Sequence, residues 1–173
     1  LASARAGNVI GGGDWATDRL IPDILRAFEK SQPVIVRNTH ATRPWQHVLE
    51  PLSGYLVLAQ NLWKQGHGVA EGWNFGPKDE DAKPVEWILN KMITAWGEGA
   101  SWQLDSGAHP HEAKFLKLDI SKAHSRLDWT PSWNLEHTLA NIVAWHRAWL
   151  ANDDMTAYSL NEIESYMAAM NSH

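Results

Sequence analysis

Residues 5–30, "RAGNVIGGGDWATDRLIPDILRAFEK", pass from a short apolar stretch through three consecutive glycines into an amphipathic run. The opening segment, "LASARAGNVIG", reads as a short buried strand that ends in glycines. Leu20, Ile21, Ile24, Leu25 and Phe28 then fall at the spacing of one helical face. Pro22 suits that helix's first turn, where a missing N–H costs little. Strand, glycine turn and helix in that order are the unit of an α/β fold. The glycines are not a standard phosphate loop: "GGGDWA" lacks the third glycine of G-x-G-x-x-G, and no G-K-[ST] follows. Two readings of Gly11–Gly13 stand. They form a flexible turn, or a loop at the carboxyl end of a strand, where open α/β sheets meet ligands and small residues admit close approach. The second reading draws attention to Asn8, Asp14 and Arg19.

The same alternation continues outward. "PVIVRN" is a β-branched strand, and "RPWQHVLEP" is an extended piece bounded by prolines. "PLSGYLVLAQNLWKQG" repeats the helical spacing, with Gly66 as its stop. "GWNFGP" is a short strand closed by a Gly-Pro turn, and "KPVEWILNKMITAWGEG" is a helix between Pro84 and Gly97. "SWQLDS" and "KFLKLD" are short strand candidates. "SKAHSRLDW" is a short helix capped by Asp119, and "NLEHTLANIVAWHRAWL" a long one capped by Asn134. Residues 151–173 are weakly periodic and read as a frayed helix or tail. The strands after residue 100 are short, which predicts a smaller α+β lobe beside the α/β part.

Composition narrows the function classes. The net charge of −5 over 173 residues leaves no basic footprint for nucleic acid, and no Lys/Arg cluster suits an anionic membrane. No apolar run approaches the roughly 20 residues of a membrane span. The absence of cysteine excludes disulfides and thiolate metal sites and fits a reducing compartment. Eleven tryptophans predict a Trp-rich core. The chain starts without Met and without a signal-peptide pattern, and reads as beginning within a longer protein. Neither G-x-S-x-G nor H-E-x-x-H occurs. "HPHE" at 109–112 lacks a further ligand, so no metal is expected, and "KDEDAK" reads as a solvated turn. His40, His47, His67, His124, His137 and His146 are scattered and read as surface or satisfied residues.

Five segments, in order, resemble the C-terminal half of the extended short-chain dehydrogenase/reductase family: "RAGNVIGG", "DRLIP", "TRPWQHVLEP", "WNFGP" and "LKLDISKAHSRLDWTP". The resemblance covers residues 3–150. It implies the C-terminal part of an NAD-dependent Rossmann-type fold over 1–150, interleaved with a small nucleotide-sugar-binding lobe, and a tail over 151–173. It further implies that Gly11–Gly13 join the last catalytic-domain strand to that lobe, with Asn8 meeting the ligand. Arg19 and Leu20 stand where the family's helix start meets the nucleotide, a position that also suits an anion. Val34 and Val36 match the strand along the nucleotide. Arg43 matches the arginine that grips diphosphate or ribose with its planar fork. Asn74 matches the asparagine of an Asn-x-Gly turn near the nucleotide. His109 and Glu112 replace the arginine and histidine usual at those positions. Val9 is the one residue matched to the cofactor's nicotinamide end.

The resemblance implies a cytoplasmic nucleotide-sugar 4,6-dehydratase of deoxysugar (lipopolysaccharide O-antigen) synthesis, with a cytidine diphospho-sugar as substrate, NAD as cofactor and a homodimer or larger assembly. An epimerase or decarboxylase of the same family and a non-catalytic sugar-nucleotide-binding module are the alternatives. The family's chemistry uses a Tyr-x-x-x-Lys pair, but Ala59, Glu162 and Met170 follow Tyr55, Tyr158 and Tyr166 at that spacing. With the glycine fingerprint also absent, no catalytic residue is expected in this chain. It is predicted to be inactive alone, with apolar faces left unpaired.

Overall fold

The computed structural model describes residues 1–105, 107 and 115–171. The strand expected at the start is two strands, β1 (Ser3–Ala6) and β2 (Asn8–Ile10), which take different partners. β1 runs parallel to β6 (Gly72–Phe75), and β2 runs parallel to β5 (Trp45–His47). The switch occurs at Gly7, where a Cβ would lie 2.2 Å from the carbonyl oxygen of Pro44. Asn8 N–H donates to that same oxygen at 2.8 Å. Any side chain at position 7 would push the two segments apart, so glycine is required for the approach rather than for its φ angle.

Helix α1 (Leu20–Glu29) leads to β3 (Val34–Val36), which pairs in parallel with β8 (Trp102–Leu104). The "RPWQHVLEP" piece is β4 (Thr42–Arg43) followed by β5, and β4 pairs antiparallel with β7 (Lys83–Pro84). Helix α2 (Leu49–Gln65) starts earlier than the proline suggested, because Pro51 sits inside its first turn, where it breaks no helical hydrogen bond. The helices α3 (Val85–Trp96), α4 (Ser121–Leu127) and α5 (Leu135–Leu150) fall where the sequence places them. Asn134 caps α5 by accepting from His137 N–H at 2.8 Å, whereas the cap position of α4 is Ile120 with no side-chain bond, and Asp119, one residue earlier, accepts from Ser121 N–H at 2.8 Å. "KFLKLD" is not a strand: among its described residues only Phe115 makes a bridge, to Thr42.

Two apolar clusters hold these elements. The larger joins α1, α3 and α5 to β2, β3 and β5 through Ile24, Phe28, Leu89, Met92, Leu139 and Ile142. The smaller surrounds Trp73, Phe75 and Trp129. Phe75 is fully buried, and its ring lies where a side chain at Gly54 would stand, 2.2 Å from an added Cβ. Burial of each such side chain stabilises the fold by ~2 kcal/mol.

Residues 155–170 form a regular helix, α6 (Met155–Met170), rather than a frayed one. Asp154 caps it by accepting from Thr156 and Ala157 N–H. Its anchor is Tyr166, whose hydroxyl donates to the fully buried Glu50 carboxylate at 2.7 Å. Glu50 also accepts from the backbone N–H groups of Ser132 (3.0 Å) and Trp133 (2.7 Å). The Tyr166 hydroxyl lies 3.0 Å from Ser53 Oγ, which accepts from the Trp129 indole. Burial pushes the Glu50 carboxyl upward, and the three donors partly restore the charged form. Asp81 likewise departs from the solvated-turn reading of "KDEDAK": it is buried and accepts from Leu135 N–H at 3.0 Å, closing the start of α5.

The glycine run is a packing surface. An added Cβ at Gly12 would fall 2.3 Å from the Trp145 ring, and one at Gly11 would fall 2.9 Å from Val48. Trp145 in turn donates to Ser159 Oγ of α6 at 3.1 Å. Beside it, Trp15 rests on Trp149 with ring centroids 4.5 Å apart. Gly12→Ala should therefore destabilise the protein by ~1–3 kcal/mol, read as a lower urea midpoint with an unchanged slope.

His47 is fully buried, accepts from Leu49 N–H at Nδ1 (3.3 Å), and turns Nε2 toward Glu162 at 3.6 Å. Burial first, and the neighbouring His137 second, lower its pKa from 6.5 to about 4. A histidine held below its unfolded pKa favours the fold above that pKa and loses the contribution as pH falls toward the folded value. Stability should accordingly drop between pH 6.5 and about 4. His47→Gln should flatten that slope in denaturant titrations across the same range, and an unchanged slope would show that other groups produce it.

Candidate functional site

At the carboxyl end of β3 and the start of β2 and α1 lie two adjoining cavities of about 300 and 260 Å³. They share a wall made by Asn8, Asp18, Leu20 and Trp45. Of the residues singled out in the sequence, Asn8, Leu20, Val34, Val36 and Arg43 line the first cavity. Asn8 and Leu20, with Val9 and Arg19, line the second. The elements explain the convergence. Asn8 opens β2 and is registered against Trp45, which follows Arg43 by two residues along the chain. Val34 and Val36 are the buried positions of β3, and Leu20 is the first residue of α1.

The loop ahead of α1 is held by side chains. Asp14 accepts from Ala16 N–H and from the Arg19 guanidinium, each at 3.0 Å. Arg26 donates to the carbonyls of Trp15 (3.2 Å) and Ala16 (3.0 Å) and pairs with Asp23. Asp18 takes a left-handed backbone with φ 58°, a conformation that Asp tolerates better than most residues. Arg19 precedes α1 with extended backbone and no side-chain cap. The first N–H groups of the helix thus stay without a capping side chain at the cavity wall, and the positive end of the helix lies against it.

The first cavity combines apolar walls with the guanidinium groups of Arg37 and Arg43 and the amides of Asn8 and Asn38. Arg43 Nη1 donates to the Thr42 carbonyl at 3.0 Å. Asp23, the carboxylate of α1 on this cavity, is engaged by Arg26. Trp45 is nine-tenths buried, and its indole N–H finds no acceptor among the described residues. This is a set of groups for gripping a ligand with an anionic part and an apolar or planar part. The described lining residues of both cavities include no serine, histidine, tyrosine or lysine, so no nucleophile is paired with a base there.

Asn74 lines neither cavity. It is registered against Arg5, its amide donates to the Asp119 carbonyl at 3.1 Å, and its buried Oδ1 has no partner among the described residues. His109 and Glu112 lie outside the described residues. Asp18, Arg37, Asn38 and Trp45 line the site although the sequence reading did not select them. Asp18 and Trp45 lay within the motifs "DRLIP" and "TRPWQHVLEP". Arg37 and Asn38 follow a strand whose neighbours become visible only once β3 pairs with β8. A wider groove of about 990 Å³ lies beside α4 and is lined by Lys117 and Lys122, whose charges are already paired with Asp79 (3.2 Å) and Glu71 (2.5 Å). No group of three or more His, Asp or Glu among the described residues could hold a metal ion.

No protein-family model matches the chain. CDP-glucose 4,6-dehydratase of Salmonella typhimurium is 63% identical to it over 169 residues, which are 98% of this chain and 47% of that protein. The chain thus spans about half the length of this curated relative. Its fold is similar to that of UDP-glucuronic acid 4-epimerase from Bacillus cereus, solved with UDP-glucuronic acid and NAD, at a TM-score of 0.70 and 18% identity over 84% of this chain and 45% of that one. It is also similar to dTDP-glucose 4,6-dehydratase from Bacillus anthracis, solved with NAD, at a TM-score of 0.65 and 17% identity over 84% of this chain and 44% of that one. At those identities the solved structures speak for the fold, and the curated relative speaks for the sequence. Over nearly its whole length the chain is therefore similar to about half of a CDP-glucose 4,6-dehydratase, and its fold is that of the corresponding part of NAD-bound nucleotide-sugar epimerases and dehydratases.

Proposed function

We propose that this chain is the nucleotide-sugar-gripping portion of a cytoplasmic, homo-oligomeric, NAD-dependent dehydratase that converts CDP-glucose to CDP-4-keto-6-deoxyglucose. The observation that carries this reading is the convergence of Asn8, Leu20, Val34, Val36 and Arg43 on one cavity. In it, Arg43 grips the diphosphate with a charge-assisted fork. Asn8 donates its amide to a phosphate or sugar oxygen without adding charge. Leu20, Val34 and Val36 flank the nucleoside, and Arg19 with the open start of α1 favours the anion from the adjoining cavity. The sequence resemblance alone assigns His109 and Glu112 to the same ligand. No helix is long and apolar enough to cross a membrane among the described residues.

NAD supplies hydride acceptance and return in such a dehydration. The glycine run does not fit the cofactor's phosphates, because Trp145 and Val48 fill the space beside Gly12 and Gly11, so only Val9 is assigned to the nicotinamide end. A partner portion bearing Tyr-x-x-x-Lys would supply the base, since this sequence has none. Two surfaces suit such a portion. Among the described residues β1 pairs along one edge only, and α2 exposes Leu52, Tyr55, Leu56 and Trp63 on one side. An uncovered apolar face of that kind marks an interaction site or an aggregation liability.

The complete protein should form a 4-keto sugar from CDP-glucose in the presence of NAD, and the 173 residues alone should form none. Turnover by the isolated chain would refute the division of labour. In the complete protein, Arg43→Ala should raise KM for CDP-glucose by about tenfold or more, the loss expected when a charge-assisted contact disappears. An unchanged KM would remove Arg43 from the site.

A further inference from the structure

Beside Arg43, the cavity carries the guanidinium of Arg37, which has no partner among the described residues. Arg37 follows β3 directly, is exposed, and lines the cavity together with Asn8, Asn38 and Arg43. Among the described residues no hydrogen bond or ion pair engages its side chain. Every other arginine on this flank is occupied by the protein: Arg19 by Asp14, and Arg26 by Asp23 and two carbonyls. Of the described carboxylates on the cavity, Asp23 is neutralised by Arg26 and Asp18 has no cation beside it. An unpartnered guanidinium fork beside a second one, with two amides between apolar walls, matches two adjacent anionic phosphates better than a single charge.

We infer that Arg37 is a binding residue for the diphosphate of the nucleotide sugar, acting with Arg43 as a two-arginine clamp. The inference rests on the reading of this cavity as the nucleotide-sugar site. Arg37 then discriminates by charge: it favours a nucleoside diphosphate over a monophosphate or a free nucleoside, whereas the apolar walls serve all three alike. A long exposed side chain also gives it reach toward an arriving anion, so the contribution should weaken as salt rises.

The test uses the complete protein and competitive inhibition by CDP, CMP and cytidine. Arg37→Ala should raise the inhibition constant of CDP by about tenfold, that of CMP less, and leave that of cytidine within about twofold. Its CDP constant should also depend less on salt than that of the unaltered protein. Arg37→Lys, which keeps the charge but loses the fork, should fall between the two. A variant that merely weakened folding would raise all three constants together, and that result would overturn the inference. So would a CDP constant that stays within twofold in Arg37→Ala while Arg43→Ala raises it, which would leave the site itself standing. If neither variant moves the CDP constant, the cavity is not the nucleotide-sugar site and both readings fall.

Discussion

The close approach of Gly7 to the Pro44 carbonyl organises the functional end of the molecule. A single backbone crossing ends the pairing of β1 with β6 and begins that of β2 with β5. It therefore sets Asn8 against Trp45 and brings the chain that carries Arg43 beside the loop that carries Asp18 and Arg19. The constraint is steric, since no other residue type leaves room for the carbonyl, and it is sealed by the Asn8 N–H bond to that same oxygen. Everything that lines the two cavities is placed relative to this point.

A second constraint lies behind it. Glu50 is a carboxylate with no solvent access, and burying a charge is costly unless its oxygens are satisfied. Three donors from two distant stretches of chain meet that requirement, and in doing so they tie α2, the start of α5 and α6 together. The same helix α2 follows β5, so the clamp steadies the strand on which Trp45 and His47 stand. Stability and site geometry thus share one polar junction whose partners are far apart in sequence.

The sequence revealed those parts of the molecule that local chemistry determines. Helices such as α5, with an apolar face and a capping Asn, were readable because their signals lie within a few residues. The cavity-lining residues Asn8, Leu20 and Arg43 were found through motif order rather than periodicity. What escaped was set by distant partners. The break at Gly7 depends on Pro44, the burial of Asp81 on the start of α5, and the docking of α6 on Glu50. The glycine run invited a ligand reading, yet it serves Trp145, which lies more than a hundred residues away. Asn74 stands in the expected motif, with its amide nitrogen bonded to the Asp119 carbonyl and its Oδ1 without a partner among the described residues.

The ring of Trp15 rests against Trp149 on the loop that also bears Asp14, Asp18 and Arg19. Arg26 fastens that loop by its carbonyls, so a shift of the guanidinium or of the carboxylates would tilt the indole and change its coupling to its neighbour. The loop beside the second cavity is thus tethered both by a tilted indole pair and by the Arg26 guanidinium.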